Sequence, residues 1–491
     1  MRQLSLAFIY LFLTLLYGCN RVGLSDVSYP YDLQAVNHTI DSLQNIEKGW
    51  MYADKFSAPL FSEHLTTTCW VNQDGIDDRA DTLLAWLGKV EAEGLKRESF
   101  LVDEIEEDLR LLRKMKPDSC DEHEFNRVLG CLEYRLTTAY LRYAYGQRYG
   151  YTRPHAIFAD SVFDLRCEVP TDSFLNVAMS RAKDADDLSE FLSEIQPNST
   201  LHTLLSREYA NANAKNDTAL VSLCRINLER SRWRYNRPDE YDRFIWVNIA
   251  EFMLTATDRN RGESLTMKVC CGRTDHQTPL LTSSISRLEL NPYWVIPTNI
   301  IKNELAKMHV GDSAYYARNN IIAIDKQTKE EIDPTTLSAN QLKSGRYTLR
   351  QEKGEGNSLG RLVFRFPNKY SVYLHDTNSP GAFKRTRRTV SHGCVRVEKP
   401  LELALFLMGD PSDLLIDKIR IAIDKEPLSA AGRKYMENTE PEKYMSSYYY
   451  KPPIPVFLDY YTLYPDTSNV LQRHSDPYGY DPLIKRVLDR F

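Results

Sequence analysis

The run "SHGCVRVE", residues 391–398, sets an imidazole and a thiol on either side of a single glycine. β-Branched residues flank it, Thr389 and Val390 before and Val395 and Val397 after, so the segment is expected to be extended. In an extended chain residues two apart share a face. His392, Cys394 and Arg396 would then point one way, while Val395 and Val397 anchor the strand in a core. The imidazole can take the thiol proton or hold the thiolate as an ion pair, which is how a cysteine becomes a nucleophile near neutral pH. Gly393 removes a side chain where a substrate must approach and permits torsions closed to other residues. The backbone N–H groups of Gly393 and Cys394 are candidates for an oxyanion hole. A second histidine, His375, lies 17 residues upstream of His392 in "YSVYLHDT". Alternation there sets Tyr373 and His375 on one face, with Val372 and Leu374 on the other. Two strands joined by the loop "DTNSPGAFKRTRRTV" would bring His375 beside Cys394.

Those strands need a scaffold, and the chain is long enough to supply one. Its 491 residues allow two to four domains, and 42% hydrophobic with 26% charged residues is ordinary for a globular protein. From about residue 30 to 230 the pattern is helical. "DTLLAWLGKV" places Leu83, Leu84, Leu87 and Val90 on one stripe with Asp81 as N-cap, and "LVDEIEEDLRLLRKM" repeats this with Val102, Ile105, Leu109 and Leu112. Near residue 240 the period changes to two. "FIWVNIAEFMLTATD", "LTMKVCCGR", "GRYTLRQ", "GRLVFRFP", "YSVYLHDT" and "CVRVE" read as strands, followed by a helix in "LELALFLMG". The fold class expected is therefore α+β: a mostly helical N-terminal scaffold, then a mixed, mainly β domain.

A formal net charge of −5 argues against a general nucleic-acid binder. "GEGNSLG" has one residue too many for a dinucleotide loop and stands among strands, and "DEHEF" lacks the second histidine of a zinc protease motif. No C-x-x-C spacing supports a zinc ribbon, so no metal and no cofactor is expected. The opening "MRQLSLAFIYLFLTLLYGCN" combines Arg2 with an apolar run and ends in Leu-Tyr-Gly-Cys, which resembles a bacterial lipobox in which Cys19 is lipidated. Tyr17 departs from the small residue more usual there. The expected location is the periplasm, with a lipid anchor to a bacterial membrane. In that compartment the cysteines beyond Cys19 and Cys394 are free to form disulfides, whose pairing the sequence leaves open.

Taken together, His375 and "SHGCVR" resemble the L,D-transpeptidase catalytic domain (YkuD-type). "NLERSRW", "VNIAEF", "NPYWVIP", "LRQEKGEGNSLGRLVFRFPN" and "YLHDT" are similar to the large periplasmic branch of that family, which carries a helical scaffold. With the lipobox-like end read as a lipoprotein signal peptide over 1–19, a departure from a branch often anchored by a membrane helix, the expected organisation is a helical scaffold over 20–235, a catalytic domain over 240–428 with a lid around 302–344, and a Tyr/Pro-rich C-terminal extension over 429–491 packing on it. It implies that Cys394 attacks a peptidoglycan tetrapeptide stem, expels D-alanine, and passes the acyl group to the amine of a second stem. His392 would be the base, oriented by the carbonyl of Ser391, with Gly393, His375 and Arg396 shaping the pocket. Tyr373, Asp376, Asn357, Arg387 and Arg388 are the expected substrate-binding residues, the last two through bidentate contacts to stem carboxylates. An L,D-carboxypeptidase or a protein-attachment enzyme would share the nucleophile and differ in the acceptor, and a catalytically silent wall-scaffolding lipoprotein would lack a working thiol. The branch often carries a small wall-binding module ahead of the catalytic domain. Here "SREYANANAKNDTALVSLCRINLERSRW" leaves no room for it.

Overall fold

A computed structural model describes residues 29–491 apart from 48–50, 62–64, 118 and 236. The expected signal peptide and Cys19 lie outside the described residues. The chain divides into two compact units, Met1–Glu91 with Lys96–Ala144 and Thr171–Ile195, and Ala92–Leu95 with Tyr145–Pro170 and Gln196–Phe491. Helices come first and strands after, the α+β order expected.

In the first unit the longer helices are α1 (Leu33–Ile46), α2 (Arg79–Leu87), α3 (Val102–Leu112), α4 (Glu122–Tyr149, which runs on into the second unit), α5 (Asp172–Arg181) and α6 (Ala185–Glu194). The buried stripe of α2 is Ala80, Leu83 and Leu87, continued by Val90, with Leu84 half-exposed. Asp78 holds the N-cap position and Asp81 sits in the first turn, where its charge suits the helix dipole. Val102, Ile105, Leu109 and Leu112 are all buried on α3. Glu133 of α4 is buried with its carboxylate accepting from the amides of Cys69, Trp70 and Val71 at 2.8, 2.8 and 3.3 Å. Those bonds are what make a carboxylate tolerable there.

From Gln196 on, the second unit carries α7 (Thr200–Ala214) and α8 (Thr218–Arg232), so the helical stretch expected over 20–235 is divided between the units. Then come β1 (Arg243–Asn248), β2 (Met253–Asp258), β3 (Glu263–Gly272) and β4 (Leu280–Leu290). "FIWVNIAEFMLTATD" is thus a hairpin of two strands. An insertion follows, with β5 (Trp294–Val295), β6 (Ile321–Asp325), β7 (Glu331–Ile332) and β8 (Tyr347–Gln351) in a sheet of order β7-β6-β8-β5. It has its own core, Ile300, Leu305, Tyr316, Ala323 and Leu349 among others, so the expected lid is a small folded body spanning more than 302–344. The main sheet resumes with β9 (Leu362–Arg365), β10 (Leu374–His375), β11 (Thr389–Ser391) and β12 (Val395–Val397). A helix over "LELALFLMG" follows at Pro400–Met408, and β13 (Ser447–Asp459) completes the strands.

The pairings close into a ring, β1-β2-β3-β12-β10-β9-β4-β13 and back to β1. Val247, Leu254, Met267, Val269, Val397, Val395 and Leu374 follow one another across it on one face, each at most 1% exposed, and form the packed interior. The C-terminal stretch was expected to pack on the catalytic domain. It is instead part of the ring: β13 lies between β1 and β4, with Val456 opposite Ile245 and Leu458 opposite Val247.

Ile454, Val456, Phe457 and Leu458 of β13 are all at most 2% exposed. Burying each such side chain contributes about 1.5–3 kcal/mol, and the four together rival the ~5–15 kcal/mol that holds a whole domain folded. A chain ending at residue 428 is therefore expected to lose cooperative folding and accumulate as insoluble protein. Soluble yield and thermal unfolding followed by circular dichroism check this, and a soluble, cooperatively melting product would count against the ring as drawn.

Candidate active site

Strand β3 carries the site. β11 pairs with it in parallel, Thr389 opposite Cys271, while β12 pairs with it antiparallel, Arg396 opposite Cys270. The chain therefore reverses direction between Ser391 and Val395, within the Ser-His-Gly-Cys run. Gly393 makes the reversal possible with φ +109, a torsion that a side chain strains. Space is not the reason, since a Cβ there would meet nothing nearer than 3.5 Å. The Ser391 hydroxyl spans the turn, donating to the Cys394 carbonyl at 2.5 Å and accepting from the Gly393 amide at 3.2 Å. Thr278 locks the other side: its hydroxyl donates to the Gly393 carbonyl at 2.8 Å and accepts from the Gly272 amide at 2.8 Å. At Gly272 any Cβ would collide with the backbone of 276–278, so the loop that delivers Thr278 needs glycine there. Tyr478, from beyond β13, donates its phenol to the Gly272 carbonyl at 2.8 Å and accepts from the Thr278 amide at 3.0 Å.

This turn corrects the extended reading of 391–396. With the strand broken at Gly393, His392 and Cys394 no longer share a face by alternation. The imidazole Nε2 of His392 meets the Glu304 carboxylate at 2.5 Å, and Arg273 stands 3.7 Å from the same oxygen. His276 packs edge-on to the His392 ring at 5.3 Å. Glu304 belongs to the insertion, in a π-helical turn (Ile301–Leu305), a local distortion that recurs at functional sites. The Ser391 carbonyl, expected to orient His392, accepts the Arg273 amide at 2.9 Å. The Gly393 amide, expected in the oxyanion hole, is held by Ser391.

The Cys394 thiol donates to the Ser371 carbonyl at 3.8 Å, and Ser371 itself has φ +56. β10 runs parallel to β12, Leu374 opposite Val395 and His375 opposite Arg396, which brings Tyr373 level with Cys394. Packing around the sulfur pushes the thiol up to about 11, although the residue keeps part of its surface. The Tyr373 amide and phenol and the guanidinium groups of Arg365 and Arg396 oppose that rise. Arg365 lies 4.2 Å over the Tyr373 ring and is paired to Glu289 at 2.8 Å. His375 is buried, and burial with Arg396 alongside pulls it down to about 3, so the imidazole is neutral. Its Nδ1 and the Nε of Arg396 are buried without hydrogen-bond partners.

The expected substrate-binding residues separate. Tyr373 stands against the thiol, whereas Arg387 is exposed and donates to the Thr389 hydroxyl and the Pro477 carbonyl. Arg388 is not available to a substrate. It is buried and donates to the carbonyls of Val269, Phe252 and Arg385 at 3.0, 2.9 and 3.0 Å. Asn357 is 1% exposed and fully used within the turn ahead of β9, donating to Pro292 and Glu352 and accepting from Leu359. Asp376 accepts the amides of Arg361 and Thr377 at 2.8 and 2.7 Å, a local structural role. Glu304, Thr278, Ser371 and Tyr478 were not picked out from sequence, since each acts through a contact distant along the chain. The described cysteines are all free.

Residues 242–420 match the L,D-transpeptidase catalytic domain (YkuD), and residues 58–208 match the Scaffold domain. A Haemophilus influenzae protein named "Putative L,D-transpeptidase" is 30% identical over 241 residues, covering 49% of this chain and 45% of that protein. The chain thus spans about half the length of that relative. Residues 242–420, which carry the strained turn at Gly393, thus correspond to an L,D-transpeptidase catalytic domain (YkuD), in one chain with a region corresponding to a Scaffold domain.

Proposed function

We propose that this chain is a peptidoglycan L,D-transpeptidase working through an acyl-enzyme on Cys394. The observation that carries the reading is the thiol itself, held on a tight turn with partial exposure and faced by Tyr373, Arg365 and Arg396. The sulfur attacks the carbonyl joining the third and fourth residues of a tetrapeptide stem. The C–N bond breaks, D-alanine leaves with a proton, and a thioester remains. The amine of a second stem then attacks the thioester, the C–S bond breaks, and the thiol is restored.

Which imidazole takes the thiol proton follows from what each already holds. His392 is engaged by Glu304, whereas His375 is neutral with a buried, unpartnered Nδ1, one rung along the β10–β12 pair from Cys394. This favours His375 as the proton acceptor, with His392 and Glu304 fastening the insertion beside the turn. Burial suppresses both charges in the resting site, so the ion pair forms once a substrate brings polar groups to it. The Arg396 guanidinium is placed to meet the charge that develops on the attacked oxygen. By the lipobox-like end of residues 1–19, the same proposal puts the enzyme in the periplasm, tethered by lipid at Cys19. Among the described residues no helix is long and apolar enough to cross a membrane.

Intact-mass spectrometry with a disaccharide tetrapeptide is expected to show loss of D-alanine and a cross-linked dimer, both abolished in Cys394→Ala. D-Alanine loss without dimer would move the assignment to a carboxypeptidase or a protein-attachment enzyme; no reaction at all would leave the silent scaffolding reading. His375→Gln should slow acylation by ~100-fold or more, the usual worth of a general base. If His392→Gln were the more damaging, the roles given to the two imidazoles would be reversed. Because the resting thiol is raised to about 11, the thiolate fraction grows tenfold per pH unit below that value. Alkylation of Cys394 by iodoacetamide, followed by peptide mapping, should therefore keep accelerating well above neutral pH. A rate already flat near neutrality would mean a preformed thiolate.

A further inference from the structure

The ring presents a second recess on the face that bears Cys394. Across β1, β2 and β3 the register places Trp246 opposite Thr255 and Thr255 opposite Thr266. Further along the same strands, Cys270 is opposite Arg396 and Arg396 opposite His375. Residues 246, 255, 266, 270, 396 and 375 therefore lie on one side of the sheet, opposite the apolar interior. At the 246–255–266 end there is a cavity of about 390 Å³, within the range of ligand pockets.

Its lining is unlike a patch awaiting a protein. Trp246 and Tyr464 stand nearly parallel with ring centres 5.6 Å apart, and Tyr461 is 6.0 Å from Trp246. The indole Nε1 of Trp246 is buried without a hydrogen-bond partner. Beside the rings the strands contribute hydroxyls in rows, Thr255 and Thr257 on β2, Ser264 and Thr266 on β3. Asn469 closes one side from the hairpin of Leu463–Pro465 and Leu471–Arg473, and Arg237 and Arg259 stand in the wall. A ring that is apolar on its faces and ringed by hydroxyl and amide groups fits such a surface. Aromatic planes take the C–H faces, and threonine, serine and asparagine exchange hydrogen bonds with the substituents. A nucleic acid is disfavoured by the net charge of −5 and by the Asp466 carboxylate in the lining.

We propose that this recess binds the glycan strand of the cell wall, separately from the stem-peptide site at Cys394; that the sugar polymer is peptidoglycan rests on the transpeptidase reading above. Cys270 lies four positions along β3 from Thr266, about 13 Å of strand. A glycan seated on the recess thus leaves its stems on the face where the thiol opens. This gives the chain a means of wall attachment where the ten residues between α8 and β1 carry no additional module.

The test uses the purified chain with glycan strands from which an amidase has removed every stem peptide, and reads binding by co-sedimentation and calorimetry. The wild-type chain and Cys394→Ala are both expected to bind, while Trp246→Ala and Thr266→Glu each lower affinity at least tenfold. Thr266 is exposed on its strand, so Thr266→Glu is expected to keep the wild-type melting temperature and remains informative if Trp246→Ala fails to fold. Failure of the wild type to bind stem-free glycan, or wild-type binding by Thr266→Glu, would overturn the proposal. Turnover of a soluble tetrapeptide is measured in parallel on the wild type. Its absence would overturn the transpeptidase reading without touching the glycan result.

Discussion

The site depends on one torsion. Gly393 at φ +109 lets the chain pass from running parallel to β3 to running antiparallel to it in the space of three residues. Everything nearby serves to hold that reversal. Ser391 bridges it from within, Thr278 from the β3–β4 connection, and Tyr478 from the end of the chain. Each uses both a donor and an acceptor function, so the buried polar groups are satisfied in pairs. A hydroxyl can both donate and accept through a single atom, which suits it to this role. The ring around the turn is what makes such bracing affordable, because strands closed on both sides fix where each carbonyl lies.

Burial then decides what the turn can do chemically. The same packing that raises the Cys394 thiol lowers His375, because both charged forms lose water. A resting site with both groups neutral is protected against oxidation and stray electrophiles, since the thiolate is the reactive species. Two guanidinium groups stand close to the sulfur without abolishing the rise, so the balance is tilted by desolvation and only moderated by charge. The Glu304–His392 contact adds a connection between the insertion and the turn.

Much of this was legible in the residues. The buried valines after Cys394, the apolar stripes of α2 and α3, and the change from period 3.6 to period 2 near residue 240 are local patterns, and local patterns survive folding. What failed was local pattern carried across a glycine: alternation assigned His392 and Cys394 to one face, and the left-handed turn removed the premise. Arg388 and Asn357 misled for a related reason. A basic residue or an amide in a loop looks available to ligand until the carbonyls that consume it arrive from elsewhere in the chain. β4 escaped notice because "LLTSSISRLEL" is rich in serine and weak in alternation, and its place is set by pairing with both β9 and β13. Glu304 has no local signal, being informative only because the insertion folds back on the turn.

The same logic bears on where the catalytic domain ends. The matched family region stops at residue 420, yet β13 begins at Ser447 and lies between β1 and β4. A ring with that strand missing would leave two unpaired edges and the apolar interior open between them, a state that invites intermolecular pairing. Nor does the contribution of the tail stop at closure. After β13 the chain supplies Tyr464 to the recess over Trp246 and Tyr478 to the bracing of Gly272 and Thr278. One segment thus joins the strained turn, the closed ring and the aromatic recess. A substitution in the tyrosine-rich tail should be read as a change to the catalytic domain, since its side chains reach the active turn through a single intervening hydroxyl.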